Sequence, residues 1–344
     1  MRGAIVGASG YSGAELTRLL AVHQKVSELE IFSNSLAGEM FDEHYPNMAG
    51  EVGLRYQKVP EGITLRGYDV VFLATPAGAA MSLVRDIGLN GPSIIDLSAD
   101  FRYLDYGLYK FWYGKDHLFQ NEENKFIYGL TELNREALRG ARLVSNPGCY
   151  PTSILLALVP LLRGEAIVEK EVICDAKSGV SGAGRKLQEE YLFYRCNENI
   201  VPYRPIRHSH IGEMEHQTYN LTGQDIRLSF TPHLVPLNRG ILSTIYCRLS
   251  KDKDVAEVEE RYSRSYGEEP FVQVLQSGRI PNIRDVVGSN SCRIGYIYDE
   301  RAGILKIFSS LDNLLKGAAG QAVQNMNVMF GFPETEGLPR QALG

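Results

Sequence analysis

No two cysteines in this chain are spaced as Cys-x-x-Cys, and the five present (Cys149, Cys174, Cys196, Cys247, Cys292) are scattered and odd in number. That argues against a disulfide framework or a zinc site, so no metal is expected, and it suits a reducing compartment. No apolar run is long enough to span a bilayer. The first strand-like run begins at about Gly3, so no signal peptide is expected and the expected location is cytoplasmic. Excess charge is lacking too: a net charge of -5 gives no reason to expect nucleic acid or a membrane as partner. A local basic pocket can still hold an anionic substrate. Internal repeats, low-complexity tracts and a Pro/Gly/Ser-rich linker are also missing. The 344 residues suffice for two domains with sizeable cores.

What is present falls into two textures. Gly3–Val6, Leu29–Phe32, Asp69–Ala74 and Ser93–Leu97 are runs rich in Val, Ile and Leu without alternation. Such runs suit parallel strands covered on both faces. Helical stretches separate them, Ala14–Val22 first, which predicts a doubly wound α/β domain. Beyond about Tyr150, strand-like runs crowd together: Val172–Ala176, Ile226–Phe230, Gly240–Leu249 and Arg293–Tyr298, with a helix over Asp254–Tyr266. That pattern predicts an α+β domain with a mixed or antiparallel sheet. The small residues of the last expected helix, Leu314–Met329, suit close backbone packing against the first domain.

The turn Gly7-Ala8-Ser9-Gly10-Tyr11-Ser12-Gly13 lies between the first strand and the first helix. Its glycines would let the backbone approach a pyrophosphate, and the following helix amides would bind its charge. Gly7, Ser9, Gly10, Tyr11, Ser12 and Gly13 are the expected cofactor contacts, although the Tyr11 ring, like the aromatic run Phe101–Tyr113, suits packing. The second strand ends in Ser33-Asn34-Ser35, where an NAD-binding domain usually has a carboxylate for the ribose. With no carboxylate to repel it, a 2′-phosphate could be held by Ser33 and Ser35, so NADP is expected over NAD.

The segment Ser145-Asn146-Pro147-Gly148-Cys149-Tyr150-Pro151-Thr152 follows the strand-like run Ala141–Val144 and precedes an apolar helix expected from Ser153. A thiol near a helix N-terminus is favoured as thiolate, a good nucleophile for an activated acyl group. Such chemistry needs an acid/base, and His208, His210 and His216 lie in one titratable segment. Spacing does not choose among them. Ser178–Arg185 reads as a close-approach loop ending in the Arg185 guanidinium. Ser98-Ala99-Asp100-Phe101-Arg102 follows the fourth strand, where Arg102 could hold a phosphate or carboxylate.

These motifs, with Pro232–Gly240 and Asp312–Ala322, together resemble the N-acetyl-gamma-glutamyl-phosphate reductase family of arginine biosynthesis, nearly end to end. The resemblance implies an NADP-binding Rossmann domain (1–148 plus 314–344) and a catalytic, dimerising α+β domain (149–313). It implies Cys149 as nucleophile and selects His210 as the acid/base. Ser181, Gly182, Asn313 and Lys316 are then expected by the cofactor, and Arg102, Asn146, Arg185 and Glu213 by the substrate. It implies a small acyl-phosphate substrate and a homodimer or homotetramer. The chain departs from the family at Gly212, usually proline, and at Asn34, often arginine. A lysine-pathway relative acting on aminoadipyl phosphate, and a non-catalytic NADP(H)-binding regulator, are the competing readings.

Overall fold

Val6, Ile31, Val70, Val71, Phe72, Ile94 and Ile95 are all buried, and they belong to strands that pair side by side in a single sheet. The structure is a computed structural model describing all residues except 51, 61–64, 168–170, 252 and 344. It divides into two units, Met1–Pro147 with Ala318–Leu338, and Gly148–Gly317 with Pro339–Gly344.

The first unit runs β1 (Arg2–Val6), α1 (Tyr11–Ala21), β2 (Glu28–Phe32), α2 (Phe41–His44), β3 (Tyr56–Gln57), β4 (Val70–Leu73), α3 (Ala80–Ile87), β5 (Ser93–Asp96), α4 (Tyr106–Tyr113), β6 (Ile127–Tyr128), α5 (Thr131–Leu138) and β7 (Leu143–Ser145). Its seven strands lie in the order β3-β2-β1-β4-β5-β7-β6 and every pairing is parallel. The direction of winding reverses between β1 and β4, so the Gly7 turn after β1 sits at the switch point where such sheets bind ligands.

The second unit contains α6 (Cys149–Arg163), β8 (Glu171–Gly179), α7 (Phe193–Cys196), β9 (Val201–Pro202), α8 (Ser209–Thr222), β10 (Arg227–Val235), β11 (Ile241–Cys247), α9 (Val255–Tyr266), β12 (Val272–Val274), β13 (Cys292–Asp299) and β14 (Ile304–Leu311). Its seven-stranded sheet has the order β12-β13-β14-β11-β8-β10-β9. The sheet is mixed: β8 pairs with β10 in parallel, whereas β11 pairs antiparallel with both β8 and β14. The chain then returns to the first unit as α10 (Gly320–Met329). Pro339–Gly344 groups with the second unit, where Leu343 N–H donates to the Val287 carbonyl at 2.9 Å.

Two local outcomes differ from the sequence reading. The apolar helix α6 begins at Cys149, not Ser153. Pro151 does not delay it, because first-turn amides have no helical partner to lose. Side chains of α10 meet the first unit largely through amides rather than small residues. Asn325 Nδ2 donates to the Gly129 carbonyl at 2.8 Å and to Asn146 Oδ1 at 3.0 Å, and Thr131 Oγ1 donates to Asn325 Oδ1 at 2.8 Å.

Candidate active site

In the first unit the Gly7 turn is closed by steric necessity. Gly7 has φ +90°, and a Cβ there would lie 2.4 Å from the Ala74 carbonyl oxygen. A Cβ on Gly13 would lie 2.4 Å from Gly7 O and 2.7 Å from Ala8 Cα. Gly10 caps α1 without a side chain, so the opening amides face outward with no capping group from that residue. Tyr11 is 37% exposed, so its ring does not pack into the core as the sequence suggested. The hydroxyls at the end of β2 form a chain: Ser33 Oγ donates to Ser9 Oγ at 2.9 Å and lies 3.2 Å from Ser35 Oγ. Asn34 Oδ1 is occupied by the Val59 amide at 3.1 Å. A tight turn that excludes side chains and a helix N-terminus fit a nucleotide's phosphates.

Arg102 and Asn146, expected at the substrate, are both buried. Arg102 is 6% exposed, with Nε donating to the Asn146 carbonyl and Nη2 to the Leu97 carbonyl, each at 2.8 Å. Asn146 is fully buried, its amide donating to Ala318 O at 3.1 Å and accepting from Asn325. Both brace the end of β5 and β7 from within. Around them lies a buried acidic knot. Asp96 accepts from Ser98 N and Ser98 Oγ, while Asp100 accepts from Gly78 N, Met81 N and Tyr109 Oη. Burial, with the neighbouring Asp100 charge, pushes the Asp96 carboxyl up to about 7.

In the second unit, Cys149 is the first residue of α6 and is half-buried, whereas Cys174, Cys247 and Cys292 are buried. Gly317 lies against it: a Cβ there would be 2.8 Å from Cys149 Cβ. The Gly148 amide donates at 2.8 Å to Oε1 of Glu213, a fully buried carboxylate on α8. Glu213, expected at the substrate, here holds the residue before Cys149. The Tyr150 ring lies 5.7 Å from His208 and 5.9 Å from His210, both edge-on, and Tyr203 Oη donates to Tyr150 Oη at 3.1 Å. Burial raises both phenols, and the proximity of Cys149 contributes to each. Neither tyrosine was singled out from the sequence. Tyr150 could have been, as the neighbour of Cys149, but nothing marks Tyr203.

The three histidines separate by environment. His208 caps α8, its Nδ1 accepting from His210 N–H at 3.2 Å. Burial, then the neighbouring His210 and Arg204, push His208 down to about 2. A group so weakly basic is no proton acceptor near neutrality. His216 lies 3.0 Å from the Asn220 amide, on the same helix. His210 is half-buried beside the ring of Tyr150.

The close-approach loop at 178–185 does approach closely, but to the backbone at 237–240. Gly179 N–H donates to Gly240 O at 2.9 Å and Val180 N–H to Leu237 O at 2.8 Å. A Cβ on Gly182 would lie 2.9 Å from Ser178 Oγ. Asn313 ties the pieces together, accepting from Gly240 N at 2.7 Å and donating to Ser181 Oγ at 2.9 Å. Arg185 is exposed after Gly184, which has φ +82°. Lys316 is fully buried, its Nζ 5.9 Å from the centre of the Phe271 ring. A cleft of about 570 Å³ opens in the same unit, lined by Val180, Tyr191, Tyr203, Arg204 and Leu234 among others.

Comparison with known proteins decides the family. The Thermoanaerobacter sp. (strain X514) protein named N-acetyl-gamma-glutamyl-phosphate reductase is 44% identical over 97% of this chain and 96% of its own. The Geobacillus stearothermophilus protein of the same name is 46% identical over 98% of both chains. The chain belongs to the N-acetyl-gamma-glutamyl-phosphate reductase family. Residues 2–141 match the family model described as semialdehyde dehydrogenase, NAD binding domain, and residues 149–313 the one described as semialdehyde dehydrogenase, dimerisation domain. The fold is shared with aspartate semialdehyde dehydrogenase II from Vibrio cholerae, at 19% identity and a TM-score of 0.72 over 96% of this chain and 98% of that one. The protein is thus an oxidoreductase of a family that uses a nicotinamide cofactor.

Proposed function

We propose that this enzyme converts N-acetyl-L-glutamyl 5-phosphate to N-acetyl-L-glutamate 5-semialdehyde and phosphate in arginine biosynthesis, with NADPH as reductant. The observation that carries the reading is Cys149, an accessible thiol heading α6 and braced by α8, in a chain of this family.

The Cys149 thiolate attacks the acyl carbon, the carbon–oxygen bond to phosphate breaks, and a thioester forms on the sulfur. NADPH, when bound, supplies the hydride that reduces this thioester. His210 donates a proton to the carbonyl oxygen as charge grows there, and takes it back as the carbon–sulfur bond breaks and the aldehyde leaves. Burial keeps the phenols of Tyr150 and Tyr203 protonated beside Cys149. The turn Gly7–Gly13 holds the pyrophosphate, and Ser33 and Ser35 the 2′-phosphate. Asn313 ties the 178–182 loop to the backbone at Gly240.

In the same reading, the first unit, Met1–Pro147 with Ala318–Leu338, is the NADP-binding domain and the second the catalytic and dimerising domain, in a cytoplasmic homodimer or homotetramer. The test is phosphate-dependent NADP+ reduction with N-acetyl-glutamate semialdehyde, run beside the aminoadipate analogue. Turnover on the first and little on the second is expected; the reverse, or turnover retained in Cys149→Ser, overturns the reading.

A further inference from the structure

The buried carboxylate of Glu213 has no obvious use in stability. Removing a carboxylate from water is costly, and hydrogen bonds return only part of that cost. Nor does it suit an anionic substrate, because an acyl phosphate that also carries a carboxylate would meet like charge. Its contact with the α6 start is telling. Oε1 accepts from the amide of Gly148, the residue directly before Cys149, at 2.8 Å. Gly148 is also the cap of α6, so fixing its peptide plane fixes the start of that helix and the direction of the Cys149 side chain. On α8, Glu213 stands three residues after His210, so the two project from one face of the same opening turn.

We propose that Glu213 is a positioning residue: it locks the Gly148 peptide and so registers Cys149 against His210, with no direct contact to substrate. The inference rests on Cys149 being the nucleophile. A hydrogen-bond acceptor at this position is what matters, and the negative charge is incidental. The titratable groups around the thiol are His208 and His210 on α8, Tyr150 on α6, Tyr203 before α8 and Lys316 beside Gly317. None of them replaces an acceptor on Gly148 N.

The experiment compares Glu213→Gln and Glu213→Ala in the full-length enzyme. Both remove the charge, and only the glutamine keeps the acceptor. Iodoacetamide labelling of Cys149 is followed by peptide mass spectrometry, with half-buried Cys196 of the same molecule as internal reference. The Cys149-to-Cys196 labelling ratio is expected to be at least about tenfold higher in the glutamine variant than in the alanine variant, since a small misplacement costs on the order of a hundredfold. Equal ratios overturn the proposal. In the reductase assay, the alanine variant should lose at least about fiftyfold in kcat with KM for the semialdehyde within roughly threefold, and glutamine should restore kcat to within about fivefold. A KM raised more than about tenfold with kcat preserved would instead make Glu213 a substrate contact. Labelling does not depend on which acyl phosphate is used, so failure of the substrate assignment would leave it standing.

Discussion

His208 and His210 are two residues apart and sit in different environments. The first is an N-cap with its acceptor nitrogen committed to the second's amide; the second lies half-buried beside the Tyr150 ring. His210→Asn should lower kcat sharply while leaving NADPH binding unchanged, as read by cofactor fluorescence titration. His208→Ala should cost about 1 kcal/mol of stability, as a lost cap does, and show that loss in denaturant midpoint before it shows in turnover. Normal rates in His210→Asn would move the base elsewhere. Asp96 supplies a pH signature. Its folded pKa, about 7, lies above the usual carboxylate value, so the native state holds a proton that the unfolded chain has released. Its contribution is complete below about pH 4 and is lost as pH rises through about 7. Thermal unfolding of the parent should therefore fall across that window, and Asp96→Asn should flatten the slope. A parent curve that rises from pH 5 to 8 with no change in the variant would refute the assignment. The sequence made Cys149 legible because a strand, a Pro-Gly turn and a helix surround one thiol. For Arg102 and Asn146, residue type announces charge and hydrogen bonding but not that both side chains are buried.

Helix α6 owes its position to what packs on its first turn. Gly317 belongs to the turn Leu315–Ala319, and its missing Cβ is the space that Cys149 occupies. Gly317→Ala is expected to lower kcat by roughly a hundredfold through displacement of the thiol, at a stability cost of about 1–3 kcal/mol, separable by activity and denaturant titration on one sample. Unchanged turnover would mean the contact relaxes freely. Most parallel strands of the first unit could be read from their unbroken apolar runs. Strand β14 escaped, because buried serines interrupt it: Ser309 and Ser310 are both fully buried. Ser309 accepts from Ser153 Oγ at 3.0 Å, and Ser153 also donates to Ser243 Oγ at 2.9 Å, a hydroxyl cluster inside the sheet–helix layer. Helix α8 escaped for a related reason, since its inward positions include Glu213 and Gln217 rather than an apolar stripe. Tertiary partners for polar groups are what a linear pattern cannot display.

At the scale of the molecule, a bound nucleotide should stabilise the fold that binds it. Saturating NADP+ at a hundred times its Kd adds about 2.7 kcal/mol, enough to raise the unfolding temperature visibly by calorimetry. NAD+ at the same concentration should raise it less, and replacing Ser33 and Ser35 together by alanine should narrow the gap. An equal response to both cofactors in the parent would sink the 2′-phosphate assignment. Among the described residues, no helix is long and apolar enough to cross a membrane.

The main segment of the second unit begins after Pro147 and ends before Ala318, and its start and finish lie together, with Gly317 pressed on Cys149. A segment whose start and finish coincide can be spliced into a loop of a host fold without pulling the host apart. Because Cys149 is the second residue of that segment, exchanging it between host scaffolds would carry the thiol along with Glu213 and His210.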